Sequence, residues 1–315
     1  MPVNQTDPKR DKIAKANFDQ VYSMPDPREY YRTLFDLDYI IPDLAWPIFQ
    51  NITSAMIEDR GGPIKVLDLG CSYGINAALL CYPVDLERLA LRYRDLDDAG
   101  LDSNAIVQRD RHYFAAWPRN PCIRTLGLDV SAPAVDYATR VGLLEEGFCE
   151  NLEDHDPTEA LAAALADVDL VISTGCVGYV GEKTFARLLS AIKKPNPWFA
   201  TFVLRMYPFD SIVRLLRQRD LGTEKLESVL FVQRRFHSDR EREEVMTSLE
   251  TQGLDPIGKE AEGLLLAEFF LSRPPRDRTM RPLDELASVI KGASRVNGYR
   301  PRQMIGDTPE EHRTA

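Results

Sequence analysis

The sequence predicts an α/β protein built on a doubly wound, mostly parallel sheet. Three observations carry this. Beyond Gly61-Gly62-Pro63, short apolar runs alternate with stretches of helical period, the rhythm of strand–helix–strand crossovers. The first such run, Ile64-Lys65-Val66-Leu67-Asp68-Leu69, enters a tight small-residue turn and leaves it as a helix. The residues before it show no strand pattern but carry many aromatics at helical spacing.

Taken in order, residues 1–60 read as a helical cap. Asp26-Pro27 is a helix start, with Asp as N-cap and Pro at the first helical position. Tyr30, Tyr31, Leu34 and Phe35 follow on one face; Pro42 interrupts, and Leu44 to Ile57 forms a second helix. After the strand at 64–69, Ile75 to Cys81 is a helix, and residues 83–122 are an insertion of two or three helices. Further strands are expected at Arg124 to Asp129, Gly147 to Asn151, Val168 to Ser173, within Pro197 to Met206, at Val229 to Phe236 and at Gly263 to Ser272. That makes seven in all. Helices between them are expected at Ala132 to Leu144, Thr158 to Ala166, Glu182 to Ile192, Ser211 to Asp220 and Asp239 to Gln252. Gly181-Glu182-Lys183-Thr184 is a helix start, because the upstream glycine of a phosphate loop is missing. The α/β domain thus spans 61–272. Residues 273–315 form an extension with at most one helix, Leu283 to Lys291, and a frayed, partly disordered end.

Composition narrows the function. The 315 residues carry a net charge of −10, which opposes nucleic-acid coating, since that needs a basic footprint. No stretch approaches the ~20 apolar residues of a membrane span, and Met1 to Arg10 lacks an apolar signal region. A cytoplasmic location is expected. The five cysteines show no C-x-x-C spacing and no H-E-x-x-H occurs, so no metal is expected.

The informative segment is Asp68-Leu69-Gly70-Cys71-Ser72-Tyr73-Gly74. Gly70 and Gly74 permit backbone angles and close approach that a side chain blocks. The free amides of the turn suit a carboxylate, and Asp68 suits an ammonium group, so a zwitterionic amino-acid moiety is the natural guest. This segment resembles the first motif of the class I S-adenosylmethionine-dependent methyltransferases, D-x-G-x-G-x-G, with Ser72 in place of the middle glycine. The resemblance covers about residues 60–210 plus the terminal helix and strand. It implies a Rossmann-like class I methyltransferase fold and S-adenosyl-L-methionine as cofactor. It gives Asp68, Gly70, Ser72 and Gly74 to cofactor binding, and Asp129 of Gly127-Leu128-Asp129-Val130-Ser131 to the ribose hydroxyls. Asn151 and Leu152 fall near the adenine, with Asn151 where an aspartate is commoner, and Thr174 ends the fourth family strand. The 59 positions from Gly70 to Asp129 exceed the usual gap, and the 83–122 insertion accounts for the surplus.

The implied reaction is methyl transfer to an oxygen, nitrogen or carbon of a small-molecule acceptor, acting as a monomer, a homodimer or with a partner protein. His112, a general base if the insertion closes over the cofactor, and Tyr179, just after the fourth strand, are the candidate catalytic residues. Tyr22 and Tyr39 are candidate acceptor contacts, their faces suited to a sulfonium. Two alternatives stay open. Gly70-Cys71-Ser72-Tyr73-Gly74 also spells the G-x-S-x-G elbow of α/β-hydrolases, with Ser72 as nucleophile and His237 as base. A methyltransferase fold can also serve as a non-methylating enzyme or partner subunit.

Overall fold

The computed structural model describes residues 19–94, 100–227, 229–287 and 296–297. The leader holds α1 (Asp19–Tyr22), α2 (Arg28–Asp36) and α3 (Ile41–Arg60). The first expected cap is displaced by one residue. Pro27 is the N-cap of α2, while Asp26 accepts from the Arg28 amide at 3.2 Å and from its guanidinium at 2.8 Å. α3 begins three residues earlier than the sequence pattern indicates, because Pro42 falls in its first turn, where no intrahelical donor is needed. Gly61, at φ 67°, ends α3 in the left-handed conformation. The inward face of α3 (Ile41, Ala45, Ile48, Phe49, Ile52) is at most 1% exposed and lies against the sheet. At about 1.5–3 kcal/mol per large apolar side chain, this burial fixes α3 as part of the core. The cap proper is the stretch before it.

The α/β region runs β1 (Ile64–Leu69), α4 (Ile75–Cys81), α5 (Leu86–Arg94), α6 (Ser103–Ala115), β2 (Ile123–Asp129), α7 (Ala132–Val141), β3 (Glu146–Cys149) and α8 (Glu159–Leu165). It continues through β4 (Leu170–Thr174), α9 (Glu182–Ala191), β5 (Trp198–Leu204), α10 (Asp210–Arg217), β6 (Gly222–Lys225), β7 (Leu230–Arg235), α11 (Asp239–Thr251) and β8 (Leu264–Arg273). α12 (Pro275–Met280), α13 (Leu283–Leu286) and β9 (Val296–Asn297) close the described chain.

The sheet order is β3-β2-β1-β4-β5-β8-β7-β9, with β6 beside the other half of β8. β8 is antiparallel to β5, β6 and β7; the remaining pairs are parallel. This is the doubly wound, Rossmann-like α/β sheet the sequence predicts, with all seven expected strands present. Among the described residues the sheet has nine strands. β6 is four residues of uniform intermediate burial, so it shows no inside–outside alternation, and β9 is two residues long. α12 is likewise an addition, started by Pro275 in its first turn. α13 covers the first residues of the helix expected over Leu283 to Lys291; the rest of that helix and almost all of the frayed end lie outside the described residues.

Apolar side chains fill both faces of the sheet, under α3, α4 and α7 on one side and under α8, α9 and α10 on the other. The insertion supplies α5 and α6. Tyr93 of α5 stacks on Tyr31 of α2 at 4.6 Å between centroids, and α6 packs on α7. Asp110, fully buried, accepts from Arg92, Arg109, Tyr93 and Tyr137 and ties both helices to α7. From β1 the chain winds outward through β2 and β3, and from β4 it winds the other way through β5. The β1–β4 boundary is therefore a topological switch point, whose carboxyl-end crevice is the favoured ligand site of such sheets. Among the described residues no helix is long and apolar enough to cross a membrane.

Candidate functional site at the carboxyl ends of β1, β2 and β4

β1 is buried along its whole length and delivers its last residues into the crevice. In the turn that follows, Gly70, Ser72 and Gly74 have φ of 75°, 48° and 78°. Ser72 pays a steric penalty for a left-handed backbone of roughly 1–2 kcal/mol. Its amide is held in that pose by Asp129 Oδ2 at 2.9 Å. A Cβ on Gly70 would lie 2.7 Å from Cys176 Cβ, so the loop after β4 crosses too closely for any side chain there. A Cβ on Gly74 would lie 3.1–3.3 Å from the side chains of Ala138 and Leu143, so glycine there lets α7 pack against the turn.

Two carboxylates flank this turn. Asp68, 2% exposed, accepts from Asn76 Nδ2 at 2.9 Å, and Asn76 also reaches Thr174 Oγ1 at 3.1 Å. Burial pushes the Asp68 carboxyl up to about 7; the Asn76 hydrogen bond opposes this and the Asp129 charge adds to it. Asp129, ending β2, accepts from the Ser72 and Ser131 amides at 2.9 Å each. Burial raises its pKa too, against the pull of those amides and of Val130. Two buried polar atoms have no partner here: Asp68 Oδ2 and Ser72 Oγ. An ammonium group beside Asp68 and a polar group beside Ser72 would satisfy both. The glycine cradle, the orphaned oxygens and the paired acids thus fit the amino-acid and ribose ends of S-adenosylmethionine.

On the β3 side the fit is different. The Asn151 amide is engaged locally, donating to Asp154 at 2.6 Å and accepting from the Glu153 amide at 3.0 Å. Leu152 is buried in the core beneath α8 and α9. Glu153 caps α9 through Gly181 and Thr184, which holds this loop beside the β4 loop.

The leader lies across the turn. The Tyr73 hydroxyl stands 2.9 Å from the Val21 carbonyl and 2.8 Å from that of Met24, and Ser131 Oγ donates to the Tyr22 carbonyl. Burial raises the Tyr22 phenol well above its ordinary pKa; Tyr39, Tyr179 and Asp129 push the same way and Arg234 opposes them. The Tyr22 ring meets that of Tyr30 edge-on, with centroids 5.8 Å apart. Burial pushes the Tyr39 phenol up to about 12, against the pull of neighbouring Tyr30 and Thr174. Tyr179 is 45% exposed and lines a cleft with Gly175, Leu204, Met206, Tyr207 and Gln233. The structure thus brings together Asp68, Gly70, Ser72, Gly74, Asp129 and Thr174, with Tyr22, Tyr39 and Tyr179 above them.

His112 is not brought there. It is exposed on α6, its Nδ1 2.7 Å from the Gln108 carbonyl, while Asp110 and Phe114 of the same helix face inward. The insertion meets the leader, where Ser103 Oγ donates to Asp26 at 2.7 Å and Arg28 to the Leu101 carbonyl at 3.1 Å, and it meets α7, where Asp110 accepts from Tyr137 at 2.9 Å and the Tyr137 ring packs on Tyr73 of the turn. Nor does Ser72 form a hydrolase dyad. Its hydroxyl has no hydrogen-bond partner, and His237 is exposed at the start of α11. Residues the sequence reading lacked are Tyr73, Ser131, Tyr207 and Gln233. The only trace of the last is the run Gln233-Arg234-Arg235, three polar residues in succession after the apolar Leu230-Phe231-Val232.

No protein-family model matches the chain, and no curated protein sequence does. Solved structures similar in fold include the plantazolicin methyltransferase BpumL in complex with SAH. It is 13% identical, with 83% of this chain and 91% of that chain covered and a TM-score of 0.40. The O-methyltransferase of a trans-AT PKS multienzyme of Brevibacillus brevis, in complex with S-adenosyl-L-homocysteine, is 12% identical, with coverage of 88% and 86% and a TM-score of 0.38. A TehB-like SAM-dependent methyltransferase from Corynebacterium glutamicum is 15% identical, with coverage of 69% and 86% and a TM-score of 0.31.

Proposed function

We propose that the chain is an S-adenosylmethionine-dependent methyltransferase acting on a small-molecule acceptor. The observation that carries this is the pair of carboxylates, buried Asp68 and half-buried Asp129, at the ends of adjacent parallel strands around a left-handed turn. Asp68 Oδ2 and Ser72 Oγ stand unsatisfied between them. In this reading Asp129 takes the ribose hydroxyls, Asp68 the ammonium, and the Gly70–Gly74 turn the rest of the amino-acid end. Asn151 and Leu152 bound the adenine side, Leu152 through its backbone and Asn151 by fixing the loop. The bound cofactor supplies an electrophilic methyl group on a sulfonium. The chain's own part is to align an acceptor against it and to keep water out, which is most of what an activated donor requires.

Thr174 joins the cofactor residues to the acceptor side, where Tyr22, Tyr39 and Tyr179 close the space. Tyr39, with its phenol pushed to about 12, stays protonated and serves as a hydrogen-bonding wall. His112 has no part in the reaction. The net charge of −10 and the leader lying over the turn favour a small molecule over nucleic acid. We place the reaction in the cytoplasm, and mass measurement in solution decides whether a second copy or partner protein is attached.

The test is calorimetric titration with S-adenosylhomocysteine, followed by an acceptor screen with isotope-labelled cofactor. Micromolar binding and label transfer support the proposal. Binding without transfer to any acceptor favours a partner subunit, and absence of binding ends it.

A further inference from the structure

β7 contains an irregularity beside the crevice. Val232 pairs with Leu266 and Arg234 with Leu265, so Gln233 is the extra residue of a β-bulge. A bulge takes one residue out of the ladder and re-aims its side chain, and bulges are frequent next to active sites. The Gln233 carbonyl is used structurally, accepting from the Ile40 amide at 2.9 Å. Its side chain is not. The amide lies over Gly175, where a Cβ would sit 2.9 Å from Nε2 and 3.0 Å from Oε1. Oε1 is buried and has no hydrogen-bond partner. An unpaired buried acceptor opposes folding, and the packing of β7 gives no reason to keep one.

The surroundings narrow what would satisfy it. Gln233 shares its cleft with Gly175, Tyr179, Leu204, Met206 and Tyr207. A Cβ on Gly178 would stand 2.4 Å from the Tyr207 ring, so glycine there lets that ring approach the loop after β4 closely. The charges nearby cancel: Arg234 forms a two-pronged pair with Glu241 at 2.8 and 2.5 Å, and Glu244 meets Arg240 at 2.9 Å. The cleft is thus aromatic, close to neutral, and marked by one amide. It adjoins the cofactor residues directly, since Gly175 follows Thr174, which Asn76 links to Asp68.

We infer that this cleft holds the methyl acceptor, an uncharged aromatic molecule bearing a hydroxyl group that donates to Gln233 Oε1. The inference rests on the methyltransferase reading above. A hydroxyl suits the amide in either orientation, because it both donates and accepts. Tyr179 and Tyr207 supply the flanking rings for offset or edge contacts. Gly175 and Gly178, outside the glycine turn, gain a purpose: each lets a recognition side chain lie against the loop.

The test compares 2-naphthol with 2-methoxynaphthalene, which keeps the rings and loses the donor. Binding is measured by titration calorimetry at saturating S-adenosylhomocysteine, for the wild type and for Gln233→Leu, with melting curves to confirm folding. The wild type should prefer 2-naphthol at least about tenfold, because a site with a buried acceptor rejects an analogue that leaves it unpaired. Gln233→Leu should bind both within about twofold of each other and retain S-adenosylhomocysteine affinity. Equal binding of the two probes by the wild type, binding of neither, or a preference that survives in Gln233→Leu overturns the inference. If the wild type fails to bind S-adenosylhomocysteine, the methyltransferase reading itself falls. Cofactor binding without discrimination between the probes sinks the acceptor assignment alone.

Discussion

Lowering the pH from about 7.5 to 5.5 should weaken S-adenosylhomocysteine binding through one residue, Asp68. Its carboxyl is buried and pushed up to about 7, and its Oδ2 has no partner. Only the ionised form can receive the ligand's ammonium. The apparent affinity therefore scales with the ionised fraction, roughly 0.75 at pH 7.5 and roughly 0.03 at pH 5.5. The expected loss is roughly 25-fold, with a limiting slope of about tenfold per pH unit on the acid side. Asp68→Asn should flatten that slope and hold the affinity near its acid-limb value. Adenosine, which lacks the amino-acid end, should not show the Asp68 slope. The same shift acts on the ligand-free fold. Because the native carboxyl holds its proton above pH 3.8, its stabilising contribution is present below about pH 4. It is lost as pH rises to about 7, by about 4 kcal/mol in all. Ligand-free Asp68→Asn should therefore melt progressively higher than the wild type across that window. Calorimetry at a series of pH values reads the first effect and thermal denaturation the second. A wild-type affinity independent of pH, or a slope that survives in Asp68→Asn, would falsify the assignment of Asp68 to the ammonium.

Three further outcomes are expected. Asp129→Ala should cost at least about 3 kcal/mol of cofactor binding, more than 100-fold in Kd, through two lost hydroxyl–carboxylate bonds, while the melting curve remains cooperative; near-wild-type affinity by calorimetry shows the ribose lies elsewhere. Tyr73→Phe should release the leader from the turn by about 1 kcal/mol, seen as roughly fivefold faster amide exchange at residues 21–24; unchanged exchange shows that other contacts hold the strap. Asp110→Ala should destabilise the fold by about 3 kcal/mol, at the lower end for a broken buried pair because Arg92 and Arg109 can turn toward solvent; a loss under about 1 kcal/mol in urea denaturation removes Asp110 as the anchor of the insertion.

The parallel half of the sheet was legible because each of β1, β2, β4 and β5 is a nearly continuous buried run, bounded by turn residues. That pattern survives whatever is inserted between strands, so Asp129 was found despite the 59 positions from Gly70. β6 was not legible, since Gly222–Lys225 is partly buried throughout and pairs only because β8 runs past the end of β7. The cofactor half of the site was readable as one contiguous motif plus a strand-end acid. The acceptor half was not, because it is assembled from the leader, the loop after β4 and the bulge of β7, segments far apart in sequence. Tyr30, Tyr39 and Tyr73 show their identity in the sequence but not their convergence, with ring centroids 5.4–6.2 Å apart. His112 had the right chemistry on the wrong helix face, and helical period alone does not reveal which face meets a neighbour from another part of the chain.

The contacts between leader and insertion bear on how this chain could have changed over time. Asp26 is held by Ser103, Arg28 by the Leu101 carbonyl, and Tyr31 by the ring of Tyr93. The leader rests on that platform beside the glycine turn, so the two segments form one heritable unit, although more than sixty residues separate Arg28 from Leu101. A recombination breakpoint between them would pair a leader with a foreign platform. It would strand Asp26, 3% exposed, without the Ser103 hydroxyl that helps hold its carboxyl below the usual carboxylate range. Chimeras that exchange residues 19–40 and 83–122 together should fold and close. Those that exchange one alone should keep the sheet and lose the roof over the acceptor.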